Sequence, residues 1–170
     1  MKKLLILALI FILCLFSGCG YLANTQYFDN YNDYPNIWTL TGFRHGYEKK
    51  SPLFPNEITD LDVCEFFCRY DEQFPLGEGV QIYLEVTYVG KDFDKEVKRI
   101  SNISNKNIHN FKTTDIIAYD IKLGEDGCWE YALINPNLKK IYYIFIYNLP
   151  KSEIEFNHNF VPDNYIDYIQ

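Results

Sequence analysis

The sequence predicts an α+β protein, a single small domain that is mostly antiparallel β-sheet packed on one helix. We expect about five or six strands, in the order ββαβββ. Three observations predict this class. The 170 residues include 15 Tyr and 13 Phe but nine Gly and one Met, which favours packed sheet over long helices. Several runs alternate apolar and polar side chains with the period of a strand, and only one run has the spacing of an amphipathic helix.

The first residues have the pattern of an export signal. Lys2 and Lys3 precede an unbroken apolar run over residues 4–16, which small residues follow. A basic start, an apolar run and a small-residue cleavage site together define a secretory signal peptide. The apolar run is shorter than the stretch of about 20 residues that a transmembrane helix needs. A retained transmembrane anchor is therefore the less favoured interpretation.

The end of this signal, Phe16-Ser17-Gly18-Cys19, resembles a bacterial lipobox. In proteins with that motif the cysteine thiol receives a diacylglycerol, and the signal peptide is cut just before the cysteine. Leu is more usual where Phe16 stands. The resemblance implies that residues 1–18 are removed, that Cys19 is lipidated, and that the chain is anchored to the extracytoplasmic face of a bacterial cell membrane. A signal for soluble secretion, with Cys19 an ordinary small residue, is the other interpretation.

The charge balance limits the possible partners. The formal net charge is −7, and the loss of Lys2 and Lys3 with the signal peptide changes it to −9. An acidic chain lacks the clustered basic residues that bind phosphates, so we expect no nucleic-acid partner. It also lacks a polybasic signal for anionic lipid, so membrane attachment would depend on the acyl chains alone.

The mature chain is predicted to begin with a tether. Residues 19–36 hold the lipidated N-terminus and a polar stretch rich in Asn, Asp and Tyr, which favour local turns over ladders. Residues 37–170 are predicted to form the single α+β domain with a C-terminal tail. Its first element is a short strand at 37–43. Pro52 and Pro55 then favour an extended or turn segment.

Two runs before the helix are predicted to form a hairpin. Residues 61–70 fit the period of a helix as well as that of a strand, and their aromatic content and short length favour a strand. Residues 80–89 alternate cleanly, with Val80, Ile82 and Leu84 on one face. This alternation predicts a strand with one buried face.

The helix is predicted over residues 92–101, where Phe93, Val97 and Ile100 recur at helical spacing. A polar loop follows at 102–110. Good turn sequences then separate three strand-like runs, which predicts an antiparallel meander over residues 115–123, 128–134 and 140–148. The tail at 150–170 keeps many apolar residues, so we expect it to pack back on the domain.

Three cysteines follow Cys19, namely Cys64, Cys68 and Cys128. Export permits disulfides, and either Cys64 or Cys68 with Cys128 would be a possible pair if their strands were neighbours. Three buried free thiols are the second interpretation, because free cysteine is among the most buried residue types. A zinc site is the third, although Cys-x3-Cys with one distant cysteine is a weak zinc pattern.

The sequence contains no nucleophile elbow, phosphate loop, dinucleotide fingerprint or HExxH motif, and we expect no cofactor and no metal. The candidate ligand contacts are Arg44 and His45, which lie between Gly42 and Gly46, together with Trp38. Two flanking glycines let the backbone approach a ligand closely. An exposed glycine-framed turn without a ligand is the alternative.

Two functions remain open. The lipobox, the DFDKEV helix and the WEYALIN strand together resemble small lipoproteins of low-GC Gram-positive bacteria, which implies the anchor but no activity. The first hypothesis is a binding or interaction module at the cell surface, with a protein or small-molecule ligand. The second is a cell-envelope hydrolase that uses His45 with a nearby carboxylate, since a general base needs an orienting group within hydrogen-bond reach.

Overall fold

The computed structural model describes residues 22–30, 32, 51–55, 63–74, 77–107, 116–121, 128–149 and 153–154. Within these residues the chain forms one seven-stranded antiparallel sheet and one helix. The elements in chain order are β1 (Leu22–Phe28), β2 (Val63–Phe74), β3 (Gly77–Thr87), α1 (Lys91–Ile103), β4 (Asn105–Asn107), β5 (Ile117–Ile121), β6 (Cys128–Asn135) and β7 (Lys140–Tyr147). None of the described residues belongs to a helix long and apolar enough to cross a membrane.

The predicted α+β class is confirmed, because a single antiparallel sheet carries one helix and strand dominates. The predicted order ββαβββ is not confirmed, since the described elements run βββαββββ. The run 61–70 was ambiguous between helix and strand, and its described residues, 63–70, belong to strand β2. The helix extends one or two residues beyond each predicted end. The described part has seven strands rather than five or six, because two short segments of polar sequence also pair with the sheet. The strand predicted at 37–43 lies outside the described residues.

The two additional strands are at the edges of the sheet. β1 lies within the segment predicted to be a polar tether, and it pairs with β2 along its whole length, from Leu22 opposite Phe74 to Phe28 opposite Cys68. The tether interpretation is therefore wrong for residues 22–28. β4 lies in the predicted polar loop and pairs with β5. Edge strands have one unpaired side in solvent, so a polar sequence is compatible with them and gives little period-two signal.

The helix connects two distant strands of the sheet, whose order is β1-β2-β3-β7-β6-β5-β4. The chain leaves β3, crosses over β7, β6 and β5, and enters β4 at the far edge. That crossing spans four strand spacings, which is about 19 Å. The helix has 13 residues and is therefore about 20 Å long, so its length matches the crossing. The chain then returns through β5, β6 and β7 to pair with β3.

The helix covers one face of the sheet, and a core forms between them. Phe93 and Ile100 are the buried residues of the helix, and they pack with inward-facing side chains of β3, β6 and β7. Segment 51–55 packs in the same layer, where Leu53 and Phe54 are 0% and 1% exposed. The sequence predicted an extended segment between Pro52 and Pro55, but burial of this segment in the core was not predicted.

The opposite face of the sheet carries a second core. It includes Trp129 and Tyr131, whose rings stack with centroids 5.9 Å apart, and Ile144 and Ile146 of β7. β7 is therefore buried on both faces, and its continuous apolar sequence is typical of a strand in this position. Leu149 and Ile154 also join this core, so the chain after β7 returns over the sheet. Residues 155–170 lie outside the described residues.

The strand order contradicts the proposed disulfides. Cys64 and Cys68 lie on β2, and Cys128 lies on β6, with β3 and β7 between them. Three strand spacings correspond to about 14 Å, whereas a disulfide requires Cα atoms about 4.4 to 6.8 Å apart. Cys64 and Cys68 are four residues apart on one extended strand, or roughly 13 Å, which is also too far. Cys68 is a free, fully buried thiol.

Candidate functional site

Most residues predicted to be functional lie outside the described part of the chain. Cys19, the lipidation candidate, and the ligand-contact candidates Trp38, Arg44 and His45 are among them. The hydrolase hypothesis depends on His45 and stays a prediction. Of the three cysteines, Cys68 lies in the core, where burial raises the pKa of its thiol to about 12. A thiol with that pKa remains protonated and unreactive at neutral pH.

The described residues contain a dense polar cluster where segment 51–55 enters the core. It consists of Glu96 and Arg99 on α1, Glu130 on β6, Tyr143 on β7 and Tyr88 after β3. All of these side chains are at least partly buried, and Glu130 and Tyr143 are fully buried. We call this group the α1–β6 cluster.

Arg99 joins the helix to the backbone of segment 51–55. Its Nε and Nη2 donate to the two carboxylate oxygens of Glu96, at 2.8 and 2.6 Å. Its Nη1 donates to the carbonyl oxygen of Pro52 at 2.6 Å, and Nη2 also donates to the carbonyl oxygen of Leu53. Desolvation would lower the pKa of Arg99, but the hydrogen bond and the negative charge of Glu96 raise it above its ordinary value. The guanidinium therefore stays charged while it binds two backbone carbonyls.

Glu130 holds the same segment from the side of the sheet. Its Oε1 accepts the backbone N–H of Leu53 at 2.8 Å, across 77 residues of sequence. Burial raises the pKa of Glu130 to about 8, although the Leu53 amide and the positive charge of Arg99 act in the opposite direction. Most molecules therefore hold a proton on Glu130 at neutral pH. Arg99 binds the carbonyl oxygen of Leu53 and Glu130 binds its N–H, so both backbone groups of this residue are fixed.

Two tyrosines complete the α1–β6 cluster. The Tyr143 hydroxyl donates to Glu96 Oε1 at 2.7 Å and lies 2.6 Å from the Tyr88 hydroxyl oxygen. Burial raises the pKa of Tyr143 well above its ordinary value, and its neighbours Tyr88 and Glu96 raise it further. Tyr143 therefore remains a hydrogen-bond donor to Glu96, which keeps that carboxylate facing Arg99.

The α1–β6 cluster positions the backbone of segment 51–55. The hydrogen bonds of Arg99 and Glu130 end on Glu96 or on the backbone of segment 51–55. Glu130 is 0% exposed, so a substrate in solvent cannot reach it. Among the described residues, no group of three or more His, Cys, Asp or Glu side chains is arranged to hold a metal ion. The α1–β6 cluster therefore fixes the chain immediately after the segment that carries Trp38, Arg44 and His45.

A second polar cluster lies on the other face of the sheet. Arg69 pairs with Asp71, at 2.8 Å from Nη2 to Oδ2, and its Nη1 donates to the backbone carbonyl of Glu153 at 2.5 Å. Asp71 is 2% exposed, so this pair is well shielded from solvent. Nearby, a Cβ atom at Gly79 would lie 2.5 Å from Leu149 Cδ2, which shows how closely the returning chain packs on β3. This cluster holds the start of the C-terminal tail on the sheet.

Sequence reasoning missed both clusters, although one signal was present. Glu130 is the only charged residue in the strand sequence WEYALI, and an acid on the inward face of such a strand indicates a buried partner. Arg99 gave no comparable signal, because a basic residue on an amphipathic helix is ordinarily solvated. Its partners are backbone carbonyls 46 and 47 residues away, and sequence spacing cannot indicate these.

Comparisons with known proteins give no further assignment. No family model matches the chain, no curated protein matches it, and no solved structure matches it. Any function assigned to this chain therefore rests on its own residues and geometry.

Proposed function

We propose that this chain is a lipid-anchored extracytoplasmic protein, held to a bacterial cell membrane through acyl chains on Cys19, and that its domain is a binding module. The observation that carries the proposal is the order of the first residues. Two lysines, an apolar run and the lipobox-like Phe16-Ser17-Gly18-Cys19 are followed at Leu22 by the first strand of the sheet. Cleavage before Cys19 would remove the apolar run and leave β1 intact.

The binding role is supported by the way the described residues frame positions 33–50. Before this segment, β1 is paired with β2 as far as Phe28, and Asn32 N–H donates to Asn30 Oδ1 at 3.0 Å. After it, the α1–β6 cluster fixes Leu53. Binding residues are often carried on segments that a rigid scaffold positions. Trp38, Arg44 and His45 supply an aromatic surface, a fixed positive charge and a titratable base for a ligand.

The anchor is tested by the mass of the mature N-terminus. The full chain is expressed in a Gram-positive host, membranes are isolated, and the N-terminal peptide is analysed by mass spectrometry. We expect a peptide that begins at Cys19 and carries a diacylglyceryl group, whereas Cys19→Ala should keep its signal peptide. A membrane-bound wild-type chain with an unmodified Cys19 would contradict the anchor.

The binding role is tested by site-specific photo-crosslinking in living cells. A photoreactive amino acid is placed at Trp38, and as a matched control at Lys98, an exposed residue of α1. We expect a discrete adduct from position 38 that is absent from position 98 and is lost in Arg44→Ala and His45→Ala backgrounds. Identical adduct patterns from both positions would contradict a binding site in this segment.

A further inference from the structure

The short distance between Cys19 and β1 restricts how the domain can lie on a membrane. This argument rests on the proposed lipidation of Cys19. Only Gly20 and Tyr21 separate that residue from Leu22, the first residue of β1. Three Cα–Cα steps span at most about 11 Å, so Leu22 stays within that distance of the lipidated residue. A tether of the length that the sequence predicted would allow a far larger separation.

Leu22 lies at one corner of the sheet. β1 is an edge strand, and Leu22 is opposite Phe74, the last residue of β2. β3 begins at Gly77, opposite Gln73, so the connection between β2 and β3 lies at this end of the sheet. We call this region the anchor corner. It is the part of the domain that the acyl chains would hold near the lipid headgroups.

The opposite end of the strands carries a different surface. β3 ends at Thr87, opposite Lys140, and the Tyr88 N–H donates to the carbonyl of Lys139 at 2.9 Å. This bond joins the connection between β3 and α1 to the turn between β6 and β7. Val89 and Leu138 are 70% and 56% exposed there. We call this surface, residues 88–91 and 136–139, the distal tip.

The anchor corner and the distal tip are far apart in both directions of the sheet. Thr25 of β1 is aligned through Asp71 with Gly79 of β3, eight residues before Thr87, which corresponds to about 26 Å along the strand. β1 and β7 are three strand spacings apart, or about 14 Å. The distal tip therefore lies farther from the lipidated residue than the anchor corner does. This holds whether the sheet stands on its strand ends or on its β1 edge.

We infer that the bilayer surface is the partner of the anchor corner, and that the distal tip of the lipidated domain points away from the membrane. The short link holds the corner at the headgroups. The net charge of −9 after loss of Lys2 and Lys3 opposes a broader contact with anionic lipid. When the sheet stands on its strand ends, the tip with Val89 and Leu138 is then among the surfaces that a partner outside the cell meets first.

The orientation is tested by measuring two distances to the bilayer. The full chain is lipidated in cells, purified, and reconstituted into vesicles of phosphatidylethanolamine and phosphatidylglycerol that contain a headgroup acceptor dye. A donor dye is attached through p-azidophenylalanine at Thr25 or at Asn137, both exposed, which leaves the native cysteines untouched. We expect energy transfer to place position 25 nearer to the headgroups than position 137 by about 14 to 26 Å.

A spacer variant serves as the control for the short link. Twenty Gly and Ser residues inserted between Gly20 and Tyr21 add a coil of about 25 Å, so the two distances should converge. In the chain without the spacer, the orientation would be overturned if the two distances to the headgroups were equal, or if position 137 were the nearer one. Acylation of the chain and its flotation with the vesicles would in that case still support the anchor. A chain that lacks acyl groups and fails to float would overturn both the anchor and the orientation.

Discussion

At the residue scale, Glu130 is the most unusual side chain of the described structure. It is fully buried on an otherwise apolar strand face, and burial raises the pKa of its carboxyl group to about 8. Its neighbours on that face of β6 are Ala132 and Ile134, which belong to the core under the helix. A buried carboxylate is costly unless it is paired or protonated. The Leu53 amide and Arg99 offset part of the cost, and protonation near neutral pH offsets more.

This shifted pKa predicts a dependence of stability on pH. The ordinary value is 4.5, so between about pH 5 and pH 8 the unfolded chain loses a proton from Glu130 while the folded chain keeps it. The folded state then binds more protons than the unfolded state, and the free energy of unfolding falls as pH rises through this range, by on the order of a few kcal/mol.

The measurement is chemical denaturation of the wild type and of Glu130→Gln at pH 5, 6.5 and 8. Gln keeps an oxygen acceptor for the Leu53 N–H but cannot ionise, so the variant should lose less stability between pH 5 and 8. The other titrating groups are the same in both proteins, so the difference between the two pH dependences reports on Glu130. Parallel stability curves for the two proteins would contradict the shifted pKa of Glu130.

At the scale of elements, α1 has two roles, and the sequence predicted only the first of them. It covers the sheet as an amphipathic helix with Phe93 and Ile100 buried, which the spacing of apolar residues predicted. It also carries Arg99, which fixes the backbone of segment 51–55 through two carbonyl oxygens. The first role is local and follows the helical period, but the second depends on a contact between distant parts of the chain. Periodicity therefore predicted the helix but not the cluster.

Loss of Arg99 should loosen segment 51–55 locally. In Arg99→Ala we expect amide exchange at Leu53 to be about 10- to 100-fold faster, because charge-assisted hydrogen bonds contribute about 1.5 to 3 kcal/mol. Arg99→Lys should recover little of the protection, since an ammonium group lacks the fork that reaches Glu96 and two carbonyls together. Hydrogen exchange measured by NMR or mass spectrometry reports the effect.

The matched control is Lys95→Ala on the same helix. Lys95 also forms a pair with a helical acid, Asp92, at 2.7 Å, but both side chains are more than two-thirds exposed. Exposed pairs of this kind contribute little to stability, so exchange at Leu53 should change less than about threefold. Equal effects of Arg99→Ala and Lys95→Ala would show that Arg99 does not hold the segment.

At the scale of the whole molecule, the order of the strands decides which residues meet. The sequence predicted the β5–β6–β7 meander and the hairpin of β2 and β3, because short connections join neighbouring strands. It did not indicate that β7 pairs with β3. This pairing places β3 and β7 between β2, which carries Cys64 and Cys68, and β6, which carries Cys128. That pairing joins strands separated by the crossover helix and three further strands.

This strand order predicts a protein without intramolecular disulfides among Cys64, Cys68 and Cys128. The thermal midpoint of the purified protein should be the same with and without dithiothreitol. Alkylation without reductant should modify Cys68 only after unfolding, because its thiol is buried and its pKa is about 12. In the unfolded, unreduced chain, Cys64, Cys68 and Cys128 should all be alkylated. A lower thermal midpoint in reductant, or a cysteine protected from alkylation after unfolding, would contradict this prediction.

The sequence by itself determined the fold class, the position of the helix and the central strands, because period-two and helical spacing record which faces are buried. It also predicts an export signal that ends in the lipobox-like Phe16-Ser17-Gly18-Cys19, and linear motifs of this kind need no fold. Only the tertiary structure decided that residues 22–28 pair as an edge strand, that Glu130 and Arg99 converge on Leu53, and that the cysteines stay apart. The pairing of an edge strand and the side-chain hydrogen bonds to the Leu53 backbone depend on contacts between residues distant in sequence. Such contacts leave no periodic pattern in the local sequence.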